Sequence, residues 1–292
     1  MKTLVIGGTG TVGSQVVKLL LQQHQPVRVL TSSLENAARL PETVEAVIGN
    51  LNVPETLECA FAGVDRVFML NASSQTEEKQ GQNAVAAAVR GGVRKIVYQS
   101  IHNVRKSEII PHFQPKIAIE DAIIRSGLRY TFVSPNNFFQ NDFWFKEAIV
   151  QYKVYPQPIG EVGLSRVDIR DIAEVAVKVL LSDDYLEQTI PLAGPEVLTG
   201  PKIAHILSEQ LGYKVKYAGN DLEAWAAQAK LSMPAWLVED WKLMYQLFHT
   251  EGILASEEDL NTLTQVLGKP PRSYADFVKE HASFFSGNLI SV

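Results

Sequence analysis

The segment Gly7-Gly8-Thr9-Gly10-Thr11-Val12-Gly13, directly after the apolar run Thr3–Ile6, constrains this chain more than any other. Four of the 19 glycines fall within it. The glycines at 7, 10 and 13 have the spacing G-x-x-G-x-x-G. Between a strand and a helix, this spacing permits a tight turn, a close approach of backbone to a pyrophosphate, and close packing of helix on strand. The amino terminus of the helix then offers free N–H groups and a partial positive charge to an anion. A lone glycine spacing is weak, and its context gives it weight. Further short runs follow at Val27–Leu30, Ala46–Ile48, Val67–Leu70, Lys95–Tyr98 and Tyr130–Val133, with helix-length stretches such as Gly13–His24 and Thr76–Arg90 between them. The runs are β-branched or aromatic with little polar alternation, as strands buried on both faces of a parallel sheet would be. The fold expected is α/β, a Rossmann-type doubly wound parallel sheet that binds a dinucleotide.

After Pro135 the pattern changes. Phe138, Phe139, Phe143, Trp144 and Phe145 crowd together, and Pro156-Gln157-Pro158-Ile159-Gly160 reads as a loop. A helix over Ile172–Leu181 and a strand at Thr189–Leu192 return to the sheet pattern. From Leu198 the chain reads as mostly helical, with candidates Ile203–Leu211, Asp221–Lys230, Trp236–His249 and Ser256–Leu267. The expected division is an NAD(P)-binding domain over residues 1–197, with a substrate-side excursion near 136–166, and a smaller, mostly helical substrate lobe over 198–292. Phe138, Phe139 and Trp144 are candidate substrate-pocket residues, since ligands sit outside the carboxyl ends of parallel strands. The alternative for them is ordinary core. The same applies more strongly to Trp241, Tyr245 and Phe248, which recur at helical spacing.

Composition narrows the function. The formal net charge is -5, so no basic field draws nucleic acid to the chain as a direct partner. A single cysteine, Cys59, excludes an internal disulfide and a cysteine-cluster metal site. No apolar run nears the ~20 residues of a membrane span, and the opening run is too short for a signal peptide. The six histidines form no pair at i, i+4, so no metal site is expected. No Gly-x-Ser-x-Gly elbow and no Gly-x-x-x-x-Gly-Lys-Ser/Thr loop is present. The expectation is a soluble cytoplasmic protein, monomer or homodimer, acting on a small molecule.

Cofactor choice turns on the end of the second strand, Val29-Leu30-Thr31-Ser32-Ser33. An acid there would hold the ribose 2′-hydroxyl of NAD and repel a 2′-phosphate, but none occurs before Glu35. Thr31, Ser32 and Ser33 can donate to a 2′-phosphate, with Arg28 and Arg39 as nearby cations; alternatively the run caps the next helix. The missing acid favours NADP, with NAD left open.

Four segments together resemble the NmrA-like group of atypical short-chain dehydrogenase/reductases. They are Gly7–Gly13; Val93-Arg94-Lys95-Ile96-Val97-Tyr98-Gln99-Ser100; Lys116–Asn141, through Lys116, Glu120, Ser126-Gly127-Leu128, Tyr130-Thr131, Pro135, Phe138 and Asn141; and Val167-Asp168-Ile169-Arg170-Asp171-Ile172-Ala173. The resemblance covers about residues 3–195. It implies a nucleotide-binding fold shared by NADPH-dependent quinone reductases, related aromatic-substrate reductases, and regulators that bind the nucleotide without turning it over. It implies that Lys116, on a helix from Phe113 to Arg125, holds the nicotinamide ribose. Asn71 would line the cofactor channel, Asn50 with Leu51 would meet the adenine, and Ser100 falls near the serine of conventional reductases. Thr9, Gly10, Thr11, Val12 and Gly13 would complete the pyrophosphate turn with Gly7. Asp168 and Asp171 look architectural, with Asp171 placed to cap Ile172–Leu181.

The departures matter equally. Where conventional relatives carry Tyr-x-x-x-Lys, position 112 is histidine. If the helix reaches back that far, His112 and Lys116 share a face and His112 can donate a proton; otherwise it is a loop residue near the pocket. Ser134 stands where arginine is common. A site without the tyrosine suits acceptors whose reduced form needs no placed proton donor. The function expected is therefore an NADPH-dependent oxidoreductase passing hydride to a small quinone-like or conjugated apolar acceptor. The alternative is a non-catalytic NAD(P)-sensing regulator acting through a protein partner.

Overall fold

The computed structural model describes residues 1–285. Its strands are β1 (Thr3–Ile6), β2 (Val27–Thr31), β3 (Glu45–Ile48), β4 (Arg66–Met69), β5 (Lys95–Gln99), β6 (Arg129–Pro135), β7 (Val154–Tyr155), β8 (Gln188–Leu192) and β9 (Lys216–Tyr217). The helices are α1 (Thr11–Gln22), α2 (Leu34–Ala38), α3 (Glu58–Phe61), α4 (Glu77–Arg90), α5 (Gln114–Arg125), α6 (Lys146–Gln151), α7 (Ile169–Leu181), α8 (Gly200–Leu211), α9 (Leu222–Ala229), α10 (Ala235–Thr250), α11 (Glu257–Leu267), α12 (Tyr274–Glu280) and α13 (Ala282–Phe285). The chain forms two compact units. One comprises Met1–Pro135 with Ile169–Leu192, and the other Asn136–Asp168 with the chain from Ala193 onward.

In the first unit seven strands form a single parallel sheet in the order β3-β2-β1-β4-β5-β6-β8. The doubly wound parallel sheet expected from the sequence is present. Side-chain alternation sends Leu4, Ile6, Val67, Met69, Ile96 and Tyr98 to one face, where they pack with Ala84 and Ala88 of α4 and Ile119 and Ile123 of α5. Helices α1 and α7 pack together and present buried valine, leucine and isoleucine. Strands β1, β2 and β5 are buried throughout, as apolar runs of a two-sided sheet require.

Three details correct the sequence reading. Strand β3 is mostly exposed, because it is an edge with β2 as its one neighbour and brings Glu45 as well as its apolar residues. Helix α5 begins at Gln114, and His112 lies in the 3-10 turn Pro111–Phe113 before it. Pro115 explains this: a proline is tolerated in the first turn of a helix and not further in. Helix α7 begins at Ile169, so Asp171 is a fully buried residue of its first turn and not the residue before it.

The second unit is built around ionised and aromatic groups. Arg166 and Asp142 are fully buried, and both guanidinium nitrogens of Arg166 lie 2.9 Å from the Asp142 carboxylate. The hydroxyls of Tyr155 (3.1 Å) and Tyr274 (2.6 Å) donate to the same carboxylate. The single Tyr155 proton is shared between that carboxylate and Gln157 Oε1 at 2.8 Å, and the Gln157 amide donates to Tyr245. Phe139 packs edge-on against Tyr274 and against Phe277.

Candidate functional site

The sheet order reverses between β1 and β4, and parallel sheets of this kind bind ligands outside the carboxyl ends of the strands at such a point. A cavity of about 330 Å³ lies there, walled by the ends of β1, β2 and β4 and by the chain after β3. Of the residues singled out from the sequence, Gly7, Thr9, Thr31, Ser32, Asn50, Leu51 and Asn71 line it. Asn36, Leu70, Ala72 and Gln80 line it too and were not foreseen.

The glycine turn is built for close approach. Gly7 has φ +80°, and a Cβ there would lie 2.8 Å from the carbonyl oxygen of Leu70. Gly13 is buried in the first turn of α1, where a Cβ would come within 2.0 Å of the Gly7 carbonyl oxygen. Gly10 precedes α1 and contributes no capping side chain, and the first turn contains no acid. The N–H groups of Thr11, Val12 and Gly13 thus open a twelve-residue helix whose partial positive charge no side chain has claimed.

At the end of β2, Thr31 is buried and its hydroxyl has no hydrogen-bond partner. The Ser33 hydroxyl accepts the Asn36 N–H and caps α2, so that residue serves the helix. Both nearby arginines already have partners. Arg28 is buried and donates to the carbonyls of Cys59, Ala60 and Ala62 and to Glu45, while Arg39 pairs with Glu35 on the exposed side of α2. Asn50 holds a local turn, its side-chain oxygen accepting the Asn52 N–H.

After β4, Asn71 is 3% exposed, and neither end of its carboxamide has a hydrogen-bond partner. An amide buried this way is costly unless something fills its bonds. Its backbone carbonyl accepts from Lys116 Nζ at 3.1 Å. Lys116 is also buried, and its ammonium lies 2.6 Å from Glu77 Oε1 and 5.7 Å from the ring centre of Tyr98. Burial pushes the Glu77 carboxyl above its ordinary range, against the pull of the Lys116 and His112 charges. Burial, with Glu77 and Glu120 adding to it, holds the Tyr98 phenol well above its usual value, so it is a neutral hydroxyl with no partner. Glu77 opens α4, and an acid at a helix start is so common that nothing in the sequence set it apart.

Other expected site residues lie elsewhere. The Ser100 hydroxyl donates to Glu120 at 2.5 Å, committing it to α5. His112 is half-buried, edge-on to Phe113, and close enough to Glu77 to act on its charge. In the second unit Phe139 is fully buried, Phe138 is half-buried, and Trp144 is 68% exposed and stacked on Trp241 at 6.3 Å.

The cradle fits a dinucleotide: bare backbone at Gly7 and Gly13, an uncapped helix start, and orphaned polar atoms on Thr31 and Asn71 around one cavity. The chain is 32% identical over 284 residues to an NAD(P)H azoreductase of Xenophilus azovorans, an alignment covering 97% of this chain and 98% of that one. The structure of a Citrobacter sp. triphenylmethane reductase complexed with NADP(H) superposes with a TM-score of 0.83 at 25% identity, covering 96% of this chain and 99% of that one. An NADPH-dependent quinone oxidoreductase from Escherichia coli, complexed with NADPH, shares the fold with a TM-score of 0.86 at 21% identity, covering 95% and 99%. With the family model matched over residues 1–264, the chain belongs to the NmrA-like family.

Proposed function

We propose that this protein is an NADPH-dependent reductase of small aromatic, quinone-like or azo-type acceptors. The observation that carries the reading is the cavity at the ends of β1, β2 and β4, bounded by bare glycine backbone and by the orphaned Asn71 and Thr31. The turn Gly7–Gly13 and the start of α1 would hold the pyrophosphate. Thr31 and Ser32 would meet the 2′-phosphate, Asn50 and Leu51 the adenine, and Asn71 and Lys116 the nicotinamide-side ribose. When bound, the reduced nicotinamide supplies the hydride.

The chain's own contribution is to orient and to exclude water. No tyrosine stands one turn before Lys116, and His112 is on a separate 3-10 turn, not on the lysine's helix. Tyr98 is fully buried and is a neutral phenol beneath the sheet end. A placed proton donor gives ~10²–10⁴-fold, which matters for an isolated ketone whose reduced form is a basic alkoxide. A quinone or azo acceptor leaves a product that takes its proton from water. The reductase relatives, one of them 32% identical over 97% of the chain, favour catalysis over a purely sensing role. A single, reduced cysteine fits a cytoplasmic setting.

Steady-state NADPH oxidation with quinones and azo dyes beside simple ketones tests the reading. Conjugated acceptors should be turned over faster. A preference for plain ketones overturns the acceptor class, and the lack of a thermal shift with NADPH, NADP⁺, NADH and NAD⁺ overturns the cofactor.

A further inference from the structure

Glu77 is 1% exposed, neither of its carboxylate oxygens has a hydrogen-bond partner, and Oε1 forms an ion pair with Lys116 Nζ at 2.6 Å. The helices are shaped to bring the two together. Gly81, one turn along α4 from Glu77, faces Ile119, one turn along α5 from Lys116. A Cβ at position 81 would sit 2.3 Å from both Cγ1 and Cδ1 of that isoleucine. A residue without a side chain is what lets α4 and α5 close to the distance at which the carboxylate meets the ammonium.

An ammonium has three N–H donors. One donates to the Asn71 carbonyl oxygen, and the Glu77 carboxylate holds the ammonium as an ion pair at 2.6 Å. These two contacts hold the ammonium in place while leaving it N–H donors for a ligand, next to the residue whose carboxamide is orphaned. The carboxylate also neutralises the ammonium, so this end of the site does not compete for the phosphates that belong on the glycine turn.

We propose that Glu77 is a positioning residue. Acting through Lys116, its carboxylate holds the ammonium where it can donate to the vicinal hydroxyls of the nicotinamide-side ribose and keeps the pair neutral. This rests on the cofactor reading above.

The test is titration calorimetry with NADP⁺ and with 2′,5′-ADP, which carries the adenine half and the 2′-phosphate but no nicotinamide ribose. Glu77→Gln should weaken NADP⁺ ~10–100-fold, the worth of one hydrogen bond from a charged group, and 2′,5′-ADP by less than about twofold. In a Lys116→Met background the same substitution should change NADP⁺ affinity by less than about twofold, because the residue it acts through is gone. Wild-type NADP⁺ affinity in Glu77→Gln, a parallel loss of both ligands, or an undiminished loss in the Lys116→Met background overturns the proposal. If Glu77→Gln alone does not fold, Lys116→Met against Lys116→Met/Glu77→Gln decides: equal affinity supports the proposal and a further loss overturns it. A wild-type protein that does not bind 2′,5′-ADP refutes the cofactor reading, and this inference with it.

Discussion

Alanine at position 13 would place a methyl carbon 2.0 Å from the Gly7 carbonyl oxygen, 2.6 Å from the Gly7 carbonyl carbon and 2.9 Å from Gly8 Cα. All three are backbone atoms of the turn, so no side chain can swing away. Helix α1 must withdraw from β1 by more than an ångström, or the turn must open. Overpacking of this kind costs about 1–3 kcal/mol, and the helix preference of alanine over glycine returns up to ~1 kcal/mol. The apo protein should thus lose about 3 kcal/mol or less. Nucleotide binding should suffer more. Displacing two charge-assisted N–H contacts at about 1.5–3 kcal/mol each weakens binding at least ~100-fold. At NADPH about 100 times the wild-type dissociation constant, the wild type gains ~2.7 kcal/mol against urea, and a variant binding ~100-fold more weakly gains ~0.4 kcal/mol. Denaturation curves with and without NADPH, with calorimetry alongside, measure both quantities. A Gly13→Ala protein that keeps the full ligand stabilisation would refute the argument that the turn works by bare backbone.

Arg166→Met strands the fully buried Asp142 with only tyrosine hydroxyls and should cost ~3–5 kcal/mol, while Arg166→Met/Asp142→Leu should recover most of it; urea midpoints decide. Arg39→Ala should leave the NADPH-to-NADH affinity ratio within about twofold, because Arg39 is spent on an exposed pair with Glu35; a larger fall measured by calorimetry would return it to the phosphate site. Burial raises the carboxyls of Glu77 and Glu120 in the folded state above the usual glutamate value, so the folded protein keeps their protons to higher pH than the unfolded chain does. Their contribution is present below that value and is lost as pH rises through the raised ones, giving a fall in apo stability that should be shallower in Glu77→Gln, whose neighbours Lys116, His112 and Tyr98 are unchanged; an equal slope in both proteins contradicts this.

The sheet was legible because its strands are short, β-branched and buried on both sides, and the glycine turn because its spacing meets a strand on one side and a helix on the other. Edge strand β3 misled because Ala46–Ile48 is as apolar as a central strand, and what exposes it is the lack of a second neighbour. His112 misled because the spacing to Lys116 is helical, while Pro115 between them fixes where the helix begins. Glu77 was invisible for a different reason. Its burial depends on an approach between α4 and α5 set by Gly81 and Ile119, 38 residues apart, and no local pattern encodes such a contact.

Buried polar groups distinguish architecture from site. In the second unit, Asp142, Arg166, Tyr155, Gln157 and Tyr245 bond to one another, so the network is satisfied by the fold itself. Such a network specifies packing and asks nothing of a ligand. In the first unit, Thr3 Oγ1 and Arg28 Nε are orphaned near strand starts, but more of the orphaned buried atoms lie towards carboxyl ends: Thr31 ending β2, Asn71 after β4, Tyr98 and Gln99 closing β5, and Ser134 in β6. Each costs free energy in the isolated chain. A fold that leaves the cost at the carboxyl ends of its parallel strands, beside a bare-backbone turn, is stabilised when a polar ligand fills those bonds. On the proposed reading, nucleotide binding and the stability of this unit are coupled, because Thr31 and Asn71, which the apo fold leaves unsatisfied, are among the residues proposed to bind.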